Sequence, residues 1–211
     1  MSITASILRT TQSAQVSKYL EIRGSTVNVR GILGKEPELV QETVRFRLNI
    51  VGISETKKKV PGKCVVSDVY HMNYSGVKKG HAPAGVAIAY DKTMADRLIK
   101  WEPVNERILW AIFRPDNIDL KVVMVYGPTE GSCREVIDRF FEELDRVIKT
   151  TQREKVIILG DLNSRVGNDN RGMENIMDKF GEDGKPNCNG RRLIDLCTGN
   201  DLIITNAIFR H

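Results

Sequence analysis

The chain has 211 residues, of which 41% are hydrophobic and 28% charged, the balance of one globular domain and not of a chain disordered throughout. Lys and Arg number 32 against 27 Asp and Glu, a net charge of +5 that suits an anionic partner without naming one. No apolar run approaches the roughly 18–20 residues of a membrane helix, and the four cysteines (Cys64, Cys133, Cys188, Cys197) show neither a C-x-x-C pair nor a zinc spacing.

Met1 to Leu20 carries Ser, Thr and Gln, two basic residues and no acid, and it lacks the apolar core of a secretory signal. A transit peptide is one reading. A disordered N-terminal extension is the simpler one, which leaves residues 21–211 as the folded domain. The cysteine usage fits a reducing compartment, so a nuclear or cytoplasmic location is expected, neither secreted nor transmembrane.

Thr26-Val27-Asn28-Val29-Arg30-Gly31 places an amide at the end of a short apolar stretch. Pro37–Leu48 reads as a helix through Val40, Val44 and Leu48. Ile50–Ile53 reads as a strand that runs into Ser54-Glu55-Thr56-Lys57-Lys58-Lys59. Gly85–Ala89 and Val122–Val125 are further strands, the second leading into Tyr126-Gly127-Pro128-Thr129. Their consecutive apolar positions suit strands covered on both faces. Trp101 and Trp110 read as packing residues.

Cys133–Lys149 is the clearest helix. Val136, Phe140, Leu144 and Val147 recur at helical spacing, beside Ile137, Phe141 and Ile148. Ser132, with Glu135 three residues on, predicts a capping box. Val156–Leu159 is a buried strand that delivers Gly160-Asp161-Leu162-Asn163 to its carboxyl end, where ligand sites in α/β sheets lie. Arg191–Cys197 reads as a shorter helix that Gly199-Asn200 ends in a left-handed turn, and Leu202–Thr205 as a last strand. Mixed strands and helices about one core give the α/β class.

Cleaving a phosphodiester needs a divalent cation, a carboxylate to hold it, a group that orients water, and donors for the phosphate oxygens. Mg²⁺ keeps most of its waters and takes few protein carboxylates, so one or two acids at strand ends suffice. Glu55, Asp161 with Asn163, Asn28 and Tyr126 are the candidates. Each alone reads more readily as an exposed loop acid, a turn former, a polar strand end or an aromatic before a turn. Lys57-Lys58-Lys59, Lys78-Lys79 and Arg191-Arg192 are solvated loops or contacts to DNA phosphates.

Taken in order, N-V-x-G, I-x-E-T-K, V-x-V-Y-x-P-T and I-I-L-G-D-L-N resemble the endonuclease/exonuclease/phosphatase superfamily over roughly Glu21 to the end. Within it, Asn28-Val29-Arg30-Gly31, Ser54-Glu55-Thr56-Lys57, Val125–Thr129, Asn187-x-Asn189-Gly190-x-Arg192-Leu193 and Ile204-Thr205-Asn206 resemble the endonuclease domain of RTE-type LINE elements. They also resemble the craniofacial development protein 2 group of host proteins. The resemblance implies a four-layer α-β-β-α sandwich of the DNase I-like kind. It implies Mg²⁺-dependent hydrolysis of DNA, with Mn²⁺ able to substitute. Glu55 would be the principal metal ligand and Asn28 its support. Tyr126 would donate to the phosphate, Asp161 would orient or deprotonate the attacking water, and Asn163 would contact a phosphate oxygen or that water. Thr129, Lys57 and Lys58 would meet substrate.

Two departures stand out. Val27 sits where relatives carry Trp. The Ser-Asp-His segment that closes the family's site, with the Asp-bearing strand before it, is absent from the sequence. His71 and His81 lie in the wrong part of the chain, and His211 comes too early in the family order. The expectation is therefore a domain lacking its last strands, with impaired activity. Two alternatives stay open: a non-catalytic interaction protein with a dead nuclease fold, and a phosphatase acting on a phosphate ester such as a phosphoinositide.

Overall fold

The computed structural model describes the backbone of residues 6–9 and, in full, residues 21–77, 84–150 and 154–208. A six-stranded sheet runs in the order β11 (Leu202–Ile204), β1 (Ser6–Arg9), β10 (Lys155–Asp161), β9 (Leu120–Tyr126), β8 (Ile108–Phe113) and β7 (Leu98–Pro103). A five-stranded sheet runs in the order β2 (Gly24–Asn28), β3 (Ile50–Ser54), β6 (Val86–Asp91), β5 (Tyr70–Ser75) and β4 (Gly62–Ser67). Each sheet holds one parallel pair, β9 with β10 and β2 with β3; the other neighbours are antiparallel.

Strand periodicity explains the layers. On β9, Val122 and Met124 face the second sheet, where they meet Ile50, Val86 and Ile88, with Leu109 and Leu159 of their own sheet beside them. Val123 and Val125 face the other way, onto α3 (Arg134–Lys149) and α4 (Cys188–Asn200), through Phe140, Phe141, Leu144 and Leu193. The outer face of the second sheet puts Val51, Ile53 and Met72 against Ile32 and against Leu39 of α1 (Glu36–Arg45). A short α2 (Lys92–Ala95) follows β6. The result is the expected α-β-β-α sandwich. The sheets pack closely at Gly52, where an added Cβ would fall 2.5 Å from the Met124 sulfur.

Several expectations are corrected. Ser6–Arg9, inside the segment read as a disordered extension, pairs with both β10 and β11, because backbone hydrogen bonding needs no apolar pattern in the sequence. Residues 1–5 and 10–20 lie outside the described residues, as do His81, His211 and the Lys78-Lys79 pair. α1 ends at Arg45, short of Leu48, and buries Leu39 and Thr43, while Val44 is 52% exposed. α3 begins at Arg134 with Cys133 as an N-cap that makes no side-chain bond, so the capping box does not form. Ser132 Oγ lies instead 3.3 Å from Thr129 Oγ1. Val136 is 40% exposed, so the buried stripe of α3 starts at Ile137. α4 starts three residues before Arg191 and runs through Asn200, and the left-handed residue that ends it is Asp201 (φ 53), not Gly199 or Asn200.

Strands β1, β2, β4, β5, β7 and β8 join the five regions read as strands. β4 and β7 are edge strands with polar, partly exposed positions, and β8 is a short apolar run whose period is indistinct. Lys121 is 2% exposed in β9, a position its residue type does not suggest. Its Nζ donates to Val147 O at 2.7 Å and to Thr150 Oγ1 at 3.0 Å, which closes the carboxyl end of α3. Burial holds its pKa below the ordinary lysine range. All four cysteines are free thiols.

Candidate active site

The two parallel pairs end at one rim. Asn28 is in register with Ser54 at the end of β2–β3, and Tyr126 with Asp161 at the end of β9–β10. Glu55 follows β3 with φ 53, and Asn163 follows β10 with φ 48. Left-handed conformations at non-glycine residues are uncommon and gather at functional turns.

A single carboxylate oxygen joins the halves. Glu55 Oε1 accepts from Asn28 Nδ2 at 2.7 Å and from the Tyr126 hydroxyl at 2.9 Å. The tyrosine comes from one sheet and the glutamate from the other. Burial pushes the Tyr126 hydroxyl up to about 12, helped by its hydrogen bond to Glu55 and the charges of Glu55 and Asp161; Arg107 acts in the opposite sense. Tyr126 is therefore a proton donor throughout the neutral range.

The Asp161–Asn163 loop is bonded to the Tyr126 loop at several points. Asn163 N donates to Asp161 Oδ1 at 2.9 Å, a turn that the Asx side chain itself closes. Asn163 Nδ2 donates to Gly127 O at 2.9 Å, and Gly127 N to Asp161 O at 2.7 Å. Gly160 (φ 139) makes the entry possible, since a Cβ there would lie 1.9 Å from Val125 O.

Three residues outside the expected set hold these loops. Arg107 Nη1 donates to Tyr126 O and Gly127 O, each at 3.2 Å, and its guanidinium lies 5.5 Å from the Tyr126 ring centroid. Asn187 caps α4 by accepting from Gly190 N at 2.7 Å and donates through Nδ2 to Asn163 O at 3.1 Å. Asn189 is fully buried and donates to the carbonyls of Pro128, Leu162 and Asn163. The Asn187-x-Asn189-Gly190 motif was visible in sequence; that its amides grip the neighbouring loop was not.

Of the substrate-contact candidates, Lys57 is exposed in the turn after Glu55. Lys58 turns away, 4.0 Å from Glu36 and 5.0 Å from the Tyr74 ring centroid. Thr129 is exposed and meets Ser132. His71 stacks on Tyr90. It sits four residues along β5 from Ser75, about 13 Å from the rim end of the strand at roughly 3.3 Å per residue.

The donor set suits a hard cation. Both neutral donors meet Oε1 of Glu55, and no described hydrogen bond occupies Oε2. Among the described residues no group of three or more His, Cys, Asp or Glu is placed to hold one. A site with few carboxylates fits Mg²⁺, which keeps its waters, better than zinc.

No family model matches the sequence. Craniofacial development protein 2 of Bos taurus is 34% identical over 187 residues, 88% of this chain and 31% of that protein. The chain thus spans about a third of the length of the curated relatives it matches. The endonuclease domain of TRAS1, a telomere-specific non-LTR retrotransposon, superposes with a TM-score of 0.57 at 18% identity, covering 85% of this chain and 70% of that one. The chain has the endonuclease/exonuclease/phosphatase fold. A second structure with this fold, the 3′ phosphatase NExo from Neisseria bound to product DNA hairpin, superposes with a TM-score of 0.54 at 15% identity over 84% of this chain and 71% of that one. At the rim of this endonuclease/exonuclease/phosphatase fold stand Asn28, Glu55, Tyr126, Asp161 and Asn163, and Val27 is partly buried against the α1 layer. Among the described residues that rim carries no histidine.

Proposed function

We propose that this chain is a metal-dependent phosphodiesterase of the endonuclease type that acts on DNA. The observation that carries the reading is the shared Oε1 of Glu55, which gathers Asn28 and Tyr126 from two sheets onto one carboxylate. Glu55, with Asn28 beside it, would hold Mg²⁺, and Mn²⁺ could replace it. When bound, the metal supplies charge neutralisation at the phosphate. Asp161 orients the attacking water and takes its proton. Tyr126, kept protonated, donates to a phosphate oxygen as charge builds on it. Asn163 presents its amide to a phosphate oxygen or to the water, and Lys57 adds positive charge at the rim. The basic excess of the chain and the DNA hairpin held by NExo favour nucleic acid as the substrate class.

A second reading is a fold retained for interaction. Plasmid nicking separates the two. Purified 1–211 is incubated with Mg²⁺ beside Asp161→Ala and an EDTA control, and abasic DNA and inositol phosphates are tried in parallel. Nicking that needs Mg²⁺ and is lost in the variant supports the hydrolase. Folded protein that cleaves none of these leaves the interaction reading.

A further inference from the structure

The loop after β2 carries a feature that the proposed chemistry does not use. Leu33 is 91% exposed, the most exposed large hydrophobic residue among those described. Singly exposed leucines are common and need no explanation where a loop is loose. This loop is tied down. Ile32 beside it is 1% exposed and anchored in the α1 layer. Gly31 N donates to Glu55 O at 2.7 Å and Ile32 N to Thr56 O at 3.2 Å. Lys35 Nζ donates to Val29 O at 2.6 Å and Lys35 N to Ile32 O at 2.9 Å. The Asn28 amide couples the loop to the site: its Oδ1 accepts from Arg30 N at 3.0 Å while its Nδ2 holds Glu55. Leu33 thus projects from a frame hydrogen-bonded to the backbone of Glu55 and Thr56. Exposed cations flank it, Arg30 on the loop (φ 49) and Lys57 in the facing turn, whose stem lies 3.5 Å from a Cβ built on Gly31.

We infer that Leu33 is a wedge that meets the face of an unstacked base next to the phosphate at Glu55, while Arg30 and Lys57 hold the flanking phosphates. The inference rests on the proposed nucleic-acid reading. A wedge of this kind needs an apolar side chain held rigidly in water, adjacent cations for the backbone, and a fixed position relative to the cleaved bond. The loop supplies the first two, and its bonds to Glu55 O and Thr56 O tie it to the proposed site. The expected ligand is a duplex already opened at one position, because the cost of unstacking has then been met before binding.

The test is fluorescence anisotropy across a salt series, with Ca²⁺ in place of Mg²⁺. Two labelled duplexes are compared, one fully paired and one with a single-nucleotide gap. Wild type is expected to prefer the gapped duplex by about a hundredfold, the scale of one relieved unstacking step. Leu33→Ala should erase that preference with no change in the salt slope, and Leu33→Phe should keep it. Arg30→Ala should weaken both duplexes alike and reduce the salt slope by about one. Leu33→Ala with wild-type preference overturns the wedge and leaves the nuclease reading standing. Wild type that binds neither duplex overturns both. At 91% exposure, Leu33 contributes little to the core, so loss of folding does not confuse the result.

Discussion

Tyr126 and Glu55 lie 71 residues apart in sequence, and the phenol of one donates to the carboxylate of the other at 2.9 Å. This bond spans the two sheets at the rim where their parallel strand pairs end. It fixes the glutamate from one side while Asn28 fixes it from the other, so the carboxylate is held in place by the protein alone. Tyr126→Phe keeps the ring and removes the donor. Nicking should fall by about 10²-fold, the usual effect of one lost oxyanion donor. Stability should change by only about 1 kcal/mol, as for one hydrogen bond. A rate equal to wild type would remove Tyr126 from the proposed mechanism.

The acidity of Tyr126 gives a second outcome, which needs no turnover. Its hydroxyl is held up to about 12 in the folded chain, against about 10 for a free tyrosine. The folded state therefore binds this proton more tightly than the unfolded state. The associated stability is complete below pH about 10 and fades as pH rises toward about 12. The phenolate absorbance of wild type minus Tyr126→Phe should show no titration near pH 10 while the metal is withheld. A step there would mean that the hydroxyl is not buried against Glu55 and Asp161.

How far the sequence foretold this arrangement depends on the range of the contact. Glu55 and Asp161 stand at the ends of apolar strands, and strand ends can be read from local pattern, so the place of both candidates was legible; the sandwich was expected from the family resemblance alone. What joins them was not. No periodicity reports that Tyr126 reaches Glu55, or that Asn189 grips Pro128 O across 61 positions at 2.7 Å. The side of α1 that is buried was misread because Val44 fits a helical stripe as well as Thr43 does, and only the packing of the second sheet decides between them. Lys121 would be read as a solvent residue by type. It is buried because it meets the open carbonyl of Val147 at the end of α3, a partner 26 residues away.

Gly160 is the point where the Asp161–Asn163 loop depends on backbone freedom. Gly160→Ala forces a Cβ to 1.9 Å from Val125 O at φ 139, and the obstruction is backbone, which cannot rotate aside. A loss of about 3 kcal/mol or more is expected, from a left-handed conformation and a steric clash together. It would appear as a lower urea midpoint at unchanged m-value. A midpoint within error of wild type would show that β10 enters the loop by another route.

Asn187 does two jobs that substitution can separate. Its Oδ1 caps α4 through Gly190 N, and its Nδ2 holds Asn163 O at 3.1 Å. Serine caps a helix nearly as well as asparagine, but its short side chain has no amide to offer Asn163. Asn187→Ser should therefore keep most of the stability, whereas Asn187→Ala should lose about 1 kcal/mol more. Both should slow nicking alike, because both release the Asn163 loop. If activity instead followed stability, with serine near wild type and alanine impaired, Asn187 would act on the helix alone. The positioning of Asn163 would then rest on its own bond to Gly127 O and on the buried amide of Asn189.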